Sequence, residues 1–149
     1  MRQALYTIGF AGKTAQTFFE LLQKHQIGTV VDIRLNNRSQ LAGFAKAGDL
    51  EYFLSAIAGI GYVHYPLLAP SAELLKDYRG GKITWAEYEP VYRKILNSRK
   101  LRARLKQDFP LWKAPLCLLC SEPTAEHCHR RLAAEFLAKL FKIKQVEHL

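Results

Sequence analysis

The stretch TIGFAGKT, Thr7–Thr14, decides between two kinds of α/β protein. Its closing Gly-Lys-Thr is the end of a nucleotide-binding P-loop, and the full pattern requires a glycine five positions before Gly12. That position holds Thr7. The loop is therefore too short to wrap a nucleotide's phosphates, and the stretch reads as a strand running into a helix. Its backbone N–H groups remain candidates for facing an anion.

Working outward, strand and helix patterns alternate. Ala4 to Phe10 reads as a strand, and Thr14 caps a helix carrying Phe18, Leu21 and Leu22. Thr29 to Leu35 is a second strand, apolar up to Asp32 as buried parallel strands are. A helix from about Asp49 places Leu50, Phe53, Leu54 and Ile57 on one face, with Gly59 and Gly61 at its end. Tyr62 to Leu67 is a third strand. Thr84 and Glu87 form a capping box in a helical middle where Pro90 kinks or restarts the helix. Leu116 to Cys120, a helix from Ala125 to Phe141 and a strand from Gln145 to Leu149 complete the order. This alternation predicts one α/β domain over residues 1–149, a three-layer sandwich whose mainly parallel five-stranded sheet has helices on both faces.

Composition narrows the function classes. A chain of 149 residues with 49% hydrophobic residues can bury a core and is not disordered. It has no apolar run long enough for a membrane span and no secretory signal pattern, and its three cysteines suit a reducing compartment. The expectation is a cytoplasmic protein with no membrane partner. Twenty-two basic against 13 acidic residues leave a net charge of +9, which favours an anionic small molecule or nucleic acid as partner. Eight basic residues and one acid, Asp108, fall between Val91 and Lys113. A solvated helix face and a nucleic-acid surface both account for that run.

Ligands of open parallel sheets bind beyond the carboxyl ends of the strands. Gly9 stands at the first such end; Asp32, Arg34, Arg38 and Ser39 follow the second; His64 ends the third; Cys120, Ser121 and Glu122 end the fourth. Asp32 and Arg34, two apart, share a face, where they form an ion pair or leave part of the Arg34 guanidinium for a ligand. The densest stretch is LLCSEPTAEHCHRR, Leu118–Arg131. Cys117 and Cys120 are three apart on a strand and point to opposite faces, so they share neither a metal nor a disulfide. On an ideal helix His129 lies within about 20° of the Phe136 and Leu140 direction, facing the strand tips, while His127 faces solvent.

Neither Cys120 nor Cys128 has an arginine six positions on, which excludes the cysteine-phosphatase loop. Zinc would use Cys120, Cys128 and His129 with His64 or Glu122, but adjacent Cys-His ligands on one helical turn are awkward, and no metal or cofactor is assigned. The candidate catalytic residues are Cys120, Glu122 and His129. The candidate ligand-binding residues are Gly9, Asp32, Arg34, Arg38, Ser39, His64, Cys128 and Arg130. Arg130 is expected to pair with the Glu122 carboxylate at the rim, and Cys120 to be more reactive than Cys117.

The ordered motifs YTIGFAGKT, VVDIR, the RS and GFAK of the next loop, IGYVHYPLLAP, ITWAEYEPVY, LLCSEPTAEHCHR and VEHL resemble domain-of-unknown-function family 488 over nearly the whole chain. The resemblance implies a compact α/β fold with a site built from the VVDIR, Cys-x-Glu and Cys-His-Arg segments. It brings no activity with it. Many members carry an acid in the first loop, where this chain has Ala11. Two function classes follow: an enzyme acting on a nucleotide, nucleic acid or other phosphate-bearing substrate, and a non-catalytic nucleic-acid-binding or regulatory module.

Overall fold

A computed structural model describes residues 4–38, 43–122 and 124–149. Five strands form one parallel sheet: β1 (Ala4–Gly9), β2 (Thr29–Asp32), β3 (Gly61–His64), β4 (Leu116–Cys120) and β5 (Gln145–His148), in the order β3-β2-β4-β1-β5. Parallel neighbours need crossovers, which six α-helices supply. They are α1 (Ala15–Lys24), α2 (Ala47–Phe53), α3 (Ala72–Arg79), α4 (Trp85–Leu96), α5 (Arg99–Asp108) and α6 (His129–Phe141). The expected three-layer fold is what forms.

Side-chain alternation along the strands sorts the core into two layers. Ile8, Val30, Cys117 and Leu119 pack with Phe18 and Leu22 of α1 and Leu50 of α2. Leu5, Val31, Leu116 and Leu118 face the other way, against Leu74, Tyr88, Tyr92, Leu101, Leu105 and the α6 residues Leu132, Ala133 and Leu137. The chain thus leaves β1 toward one face and β4 toward the other. Because β1 and β4 are neighbours, with Gly9 paired to Cys120, the chain direction switches faces between them, and it is at such a switch point that open α/β sheets form a ligand crevice.

Local chemistry moves several expected boundaries. Pro90 sits inside an uninterrupted α4, and the break comes at Asn97, after which Ser98 accepts the Leu101 N–H to begin α5. The strand expected to run to Leu35 ends at Asp32, because the Asp32 carboxylate accepts the Arg34 N–H and curls the chain. The third strand ends at His64, since Pro66 opens a 3-10 turn and has no N–H for a ladder. A π-helical turn over Leu54–Ala58 rotates Ile57 off the expected apolar face, leaving it 51% exposed. Gly59, at φ 62°, closes that turn in the left-handed conformation. The last helix begins four residues later than expected, at His129, with extended Cys128 as its N-cap.

Asp32 and Arg34 resolve their two readings in favour of the ion pair. Arg34 Nε and Nη2 donate to the two Asp32 oxygens at 2.9 and 2.7 Å, and Nη2 also donates to the Ala45 carbonyl at 2.7 Å. Tyr62 adds its hydroxyl to Asp32 at 2.6 Å. Burial pulls the Arg34 pKa down, but the Asp32 hydrogen bond and charge outweigh it and raise the net value. Both side chains are buried, so breaking the pair strands a desolvated cation. Asp32→Ala should cost about 3–5 kcal/mol in urea unfolding; a loss below about 1 kcal/mol, as for a solvated pair, contradicts this account.

A candidate thiol-centred site at the β1–β4 crevice

The crevice holds a cavity of about 740 Å³ lined by Phe10–Lys13 after β1, Arg34–Asn36 after β2, Cys120–Glu122 after β4, Leu75 and Arg79 of α3, and His129. Its size is that of a small-molecule site. Cys120 and His129 form its buried floor, and Glu122 is exposed at its rim.

The floor is built around Arg130. This guanidinium is 0% exposed. Its Nε donates to Thr7 Oγ1 at 3.2 Å and its Nη1 to the Glu122 backbone carbonyl, with Cys128 Sγ 4.0 Å away. The expected pairing with the Glu122 carboxylate does not occur, because the helix start carries Arg130 beneath the loop, where only the Glu122 main chain reaches it. Among the described residues no carboxylate pairs with Arg130. Thr7 accepts from Arg130, so its own proton goes to His148 Nδ1 at 2.6 Å. Gly9 makes the approach possible: a Cβ there would overlap the Glu122 carbonyl and crowd Arg130 Nη1.

Cys120 Sγ lies in this field. Its pKa falls below the ordinary thiol value, chiefly because Cys128 donates its S–H to the sulfur. Burial opposes the shift, while the Ser121 and Glu122 N–H groups and the Arg130 charge assist it. The same hydrogen bond, followed by burial, raises the Cys128 pKa. Cys117, on the opposite face, is raised by burial. Of the three thiols, Cys120 alone has its ionised form favoured over that of an ordinary thiol.

His129 is held differently from a general base. Its pKa is lowered, mainly by burial, which favours the neutral ring. Nε2 lies 3.1 Å from the Ile33 carbonyl, to which it can donate. The Cys120 sulfur is 3.5 Å from Nδ1 and 3.6 Å from Nε2. Such equal distances put the sulfur off the lone-pair axis of either nitrogen, so the imidazole covers the sulfur without a well-aligned hydrogen bond to it.

A metal would find Cys120, Cys128 and His129 donor atoms within 4.8 Å of one another. The adjacency that made Cys128 and His129 awkward partners is removed by the extended backbone of Cys128, φ −132° and ψ 139°. The off-axis imidazole is nevertheless a poor fit to coordination, which requires a nitrogen lone pair aimed at the ion.

Other candidate residues scatter. Asp32 lies beneath the cavity and engages Arg34, whereas Arg34 itself lines the wall. His64 Nε2 meets the Arg34 carbonyl at 2.8 Å, and neither it nor Arg38 is among the lining residues. Ser39 lies outside the described residues. His127, exposed as expected, stacks on Trp85 at 5.3 Å. Lys13 and Arg79 were not singled out as candidates, yet both line the cavity and neither has an ion-pair partner among the described residues. Lys13 stands in the opening motif, where a P-loop reading would have marked it. Arg79 ends a helix with no motif to flag it. The first loop's expected anion nest is largely closed: the Phe10, Ala11 and Lys13 N–H groups donate to the carbonyls of Cys120, Ser121 and Phe10.

A parallel α/β sheet with a buried, hydrogen-bonded thiol at a cation-lined crevice defines the class. The chain belongs to the family described as Domain of unknown function DUF488, whose model matches residues 14–137. That span takes in the β4–α6 segment and leaves most of the opening motif and the closing strand outside. No curated protein and no solved structure matches the chain. Among the described residues no helix is long and apolar enough to cross a membrane.

The glycine requirement is directly testable. Gly9→Ala should lower unfolding free energy by about 1–3 kcal/mol, the range for overpacking a filled interior. Unchanged stability would mean that the Glu122 carbonyl does not sit against Gly9.

Proposed function

We propose that the protein is an enzyme acting on a small phosphate-bearing or similarly anionic substrate, with Cys120 as its nucleophile. The observation that carries this reading is the position of Cys120: it lines the cavity with its thiol pKa lowered, and its sulfur lies 3.5 Å from His129 Nδ1 and within 4.8 Å of the Cys128 sulfur. A thiol destined only for packing needs none of these. Lys13 and Arg79 on the cavity wall supply positive charge for the anion, Arg34 lines the wall with its charge held by Asp32, and Phe10, Leu35 and Leu75 supply apolar surface for the rest of the substrate.

In this reading the Cys120 thiolate attacks the electrophilic atom of the bound substrate and the leaving group departs with the electron pair of the broken bond. Glu122, at the rim, relays a proton between leaving group and solvent. His129 lies over the sulfur as a neutral ring, keeping water from it and fixing its position. Arg130 acts from beneath as a charge that stabilises the thiolate; Gly9 and Cys128 serve that arrangement, and Asp32 holds Arg34 at the wall.

The nucleic-acid reading is less favoured because the basic run is partly neutralised. Arg93 pairs with Glu89 and Glu135 from outside the run, and Arg104 pairs with Asp108. The cavity also offers a bounded volume, which suits a small molecule better than a polymer.

Alkylation with matched charged and neutral reagents tests the reading. At Cys120, iodoacetate should react faster relative to iodoacetamide than it does with free 2-mercaptoethanol, by about tenfold, the lower end of electrostatic focusing in a charged cleft. Lys13→Ala with Arg79→Ala should bring the ratio back toward the free-thiol value. A wild-type ratio at or below that value, or an unreactive Cys120, would remove the anionic-substrate enzyme.

A further inference from the structure

Cys128 has a position that nucleophilic attack by Cys120 does not by itself require. Its sulfur is within 4.8 Å of the Cys120 sulfur, and it is only 2% exposed. It occupies the N-cap of α6, yet its side chain makes no cap hydrogen bond. The two sulfurs stand at the ends of different elements, and the connecting segment has exposed side chains at Glu122, Thr124, Glu126 and His127. Closing the gap between the sulfurs therefore requires movement of a surface turn and leaves strand and helix interiors in place. Cys117, on the other face of the sheet, is outside their reach.

Arg130 links the two thiols electrostatically. It is fully buried, lacks a carboxylate partner among the described residues, and lies 4.0 Å from Cys128 while stabilising the Cys120 thiolate. Once Cys120 forms a covalent bond, any thiolate charge on its sulfur is consumed, and with it one contribution that offsets the buried guanidinium. Cys128, whose sulfur lies 4.0 Å from the guanidinium, can replace that charge by ionising. The cation thus promotes the second thiolate only after the first has reacted.

We propose that Cys120 and Cys128 form a dithiol–disulfide couple that reduces a weak O–O or S–S bond in a substrate bound in the cavity; the proposal rests on Cys120 as nucleophile. Writing the substrate X–Y, the Cys120 thiolate forms an S–X bond and Y leaves with the X–Y electron pair, taking up a proton. Cys128 then loses its proton, its sulfur attacks the Cys120 sulfur, and X leaves with the S–X electron pair and a proton. The sum is two thiols plus X–Y giving one disulfide, XH and YH, a transfer of two electrons and two protons. With hydrogen peroxide both products are water. A small-molecule thiol, by exchange, returns the disulfide to the dithiol. The cations at the cavity favour this course because Y departs as an anion.

The test uses the full chain, treated with a chelator, and hydrogen peroxide as the probe. Two thiols should disappear per peroxide consumed, peptide mapping should find Cys120 joined to Cys128 with Cys117 free, and dithiothreitol should restore both. In Cys128→Ser and Cys128→Ala, each checked for native circular dichroism, Cys120 should stop at the sulfenic acid and be trapped by dimedone. A wild-type protein that accumulates sulfenic or sulfinic acid at Cys120 with no bond to Cys128 overturns the couple and leaves the nucleophile standing. A Cys120 inert to peroxide under conditions that consume a free thiol overturns both. Recovery of the untreated protein with a metal bound through these thiols, and no disulfide after chelation and peroxide, also overturns the couple.

Discussion

A buried guanidinium with no carboxylate partner among the described residues constrains this molecule more than any other single feature. Arg130 is completely desolvated, and an uncompensated charge in such a place is costly. The chain meets the demand with Thr7 from β1, the Glu122 carbonyl from the loop after β4, and the Cys128 sulfur at the start of α6. Each contribution has a structural price: a polar residue inside the first strand, a glycine where the carbonyl must approach, and a turn that directs its main chain inward. The same arrangement assists ionisation of Cys120, after the contributions of Cys128 and the Ser121 and Glu122 N–H groups. Stability of the sheet edge and reactivity of the thiol share one origin.

The Asp32–Arg34 pair shows the contrasting solution to the same problem. There the guanidinium has both carboxylate oxygens and a tyrosine hydroxyl around it. Its charge is balanced locally, so it stiffens the β2 end and presents one wall of the cavity. The two arginines differ in what neutralises them, which is why one is read as structural support and the other as part of a reactive centre.

Much of the fold was legible because it rests on periodicity. All five strands and the order of layers follow from apolar runs, and Thr14 and the Thr84–Glu87 box mark their helices as written. What escaped depends on backbone detail that composition does not encode: the π-helical turn that exposes Ile57, the continuity of α4 through Pro90, the early end of β2. In the site, Cys120 and His129 could be brought together by counting residues, since strand and helix periods are fixed. Arg130 could not be placed, because its partner is a main-chain carbonyl, and every residue carries one. Lys13 and Arg79 meet across the cavity only through the crossover connections, so no local pattern joins them. The role of Cys128 was hidden by its extended backbone, which takes it off the helical wheel on which it was first judged.

The central claim is that Cys120 supplies the negative charge facing Arg130, and the ultraviolet absorption of the thiolate reports that charge directly. The wild-type minus Cys120→Ser difference should show a thiolate band already below the ordinary thiol value of about 8.5, fading as acidification passes through the depressed pKa. Folding is correspondingly favoured above the ordinary thiol value of about 8.5, and the contribution is lost as pH falls through the native value. A difference band that appears only at or above about 8.5, the range of an ordinary thiol, would contradict the account.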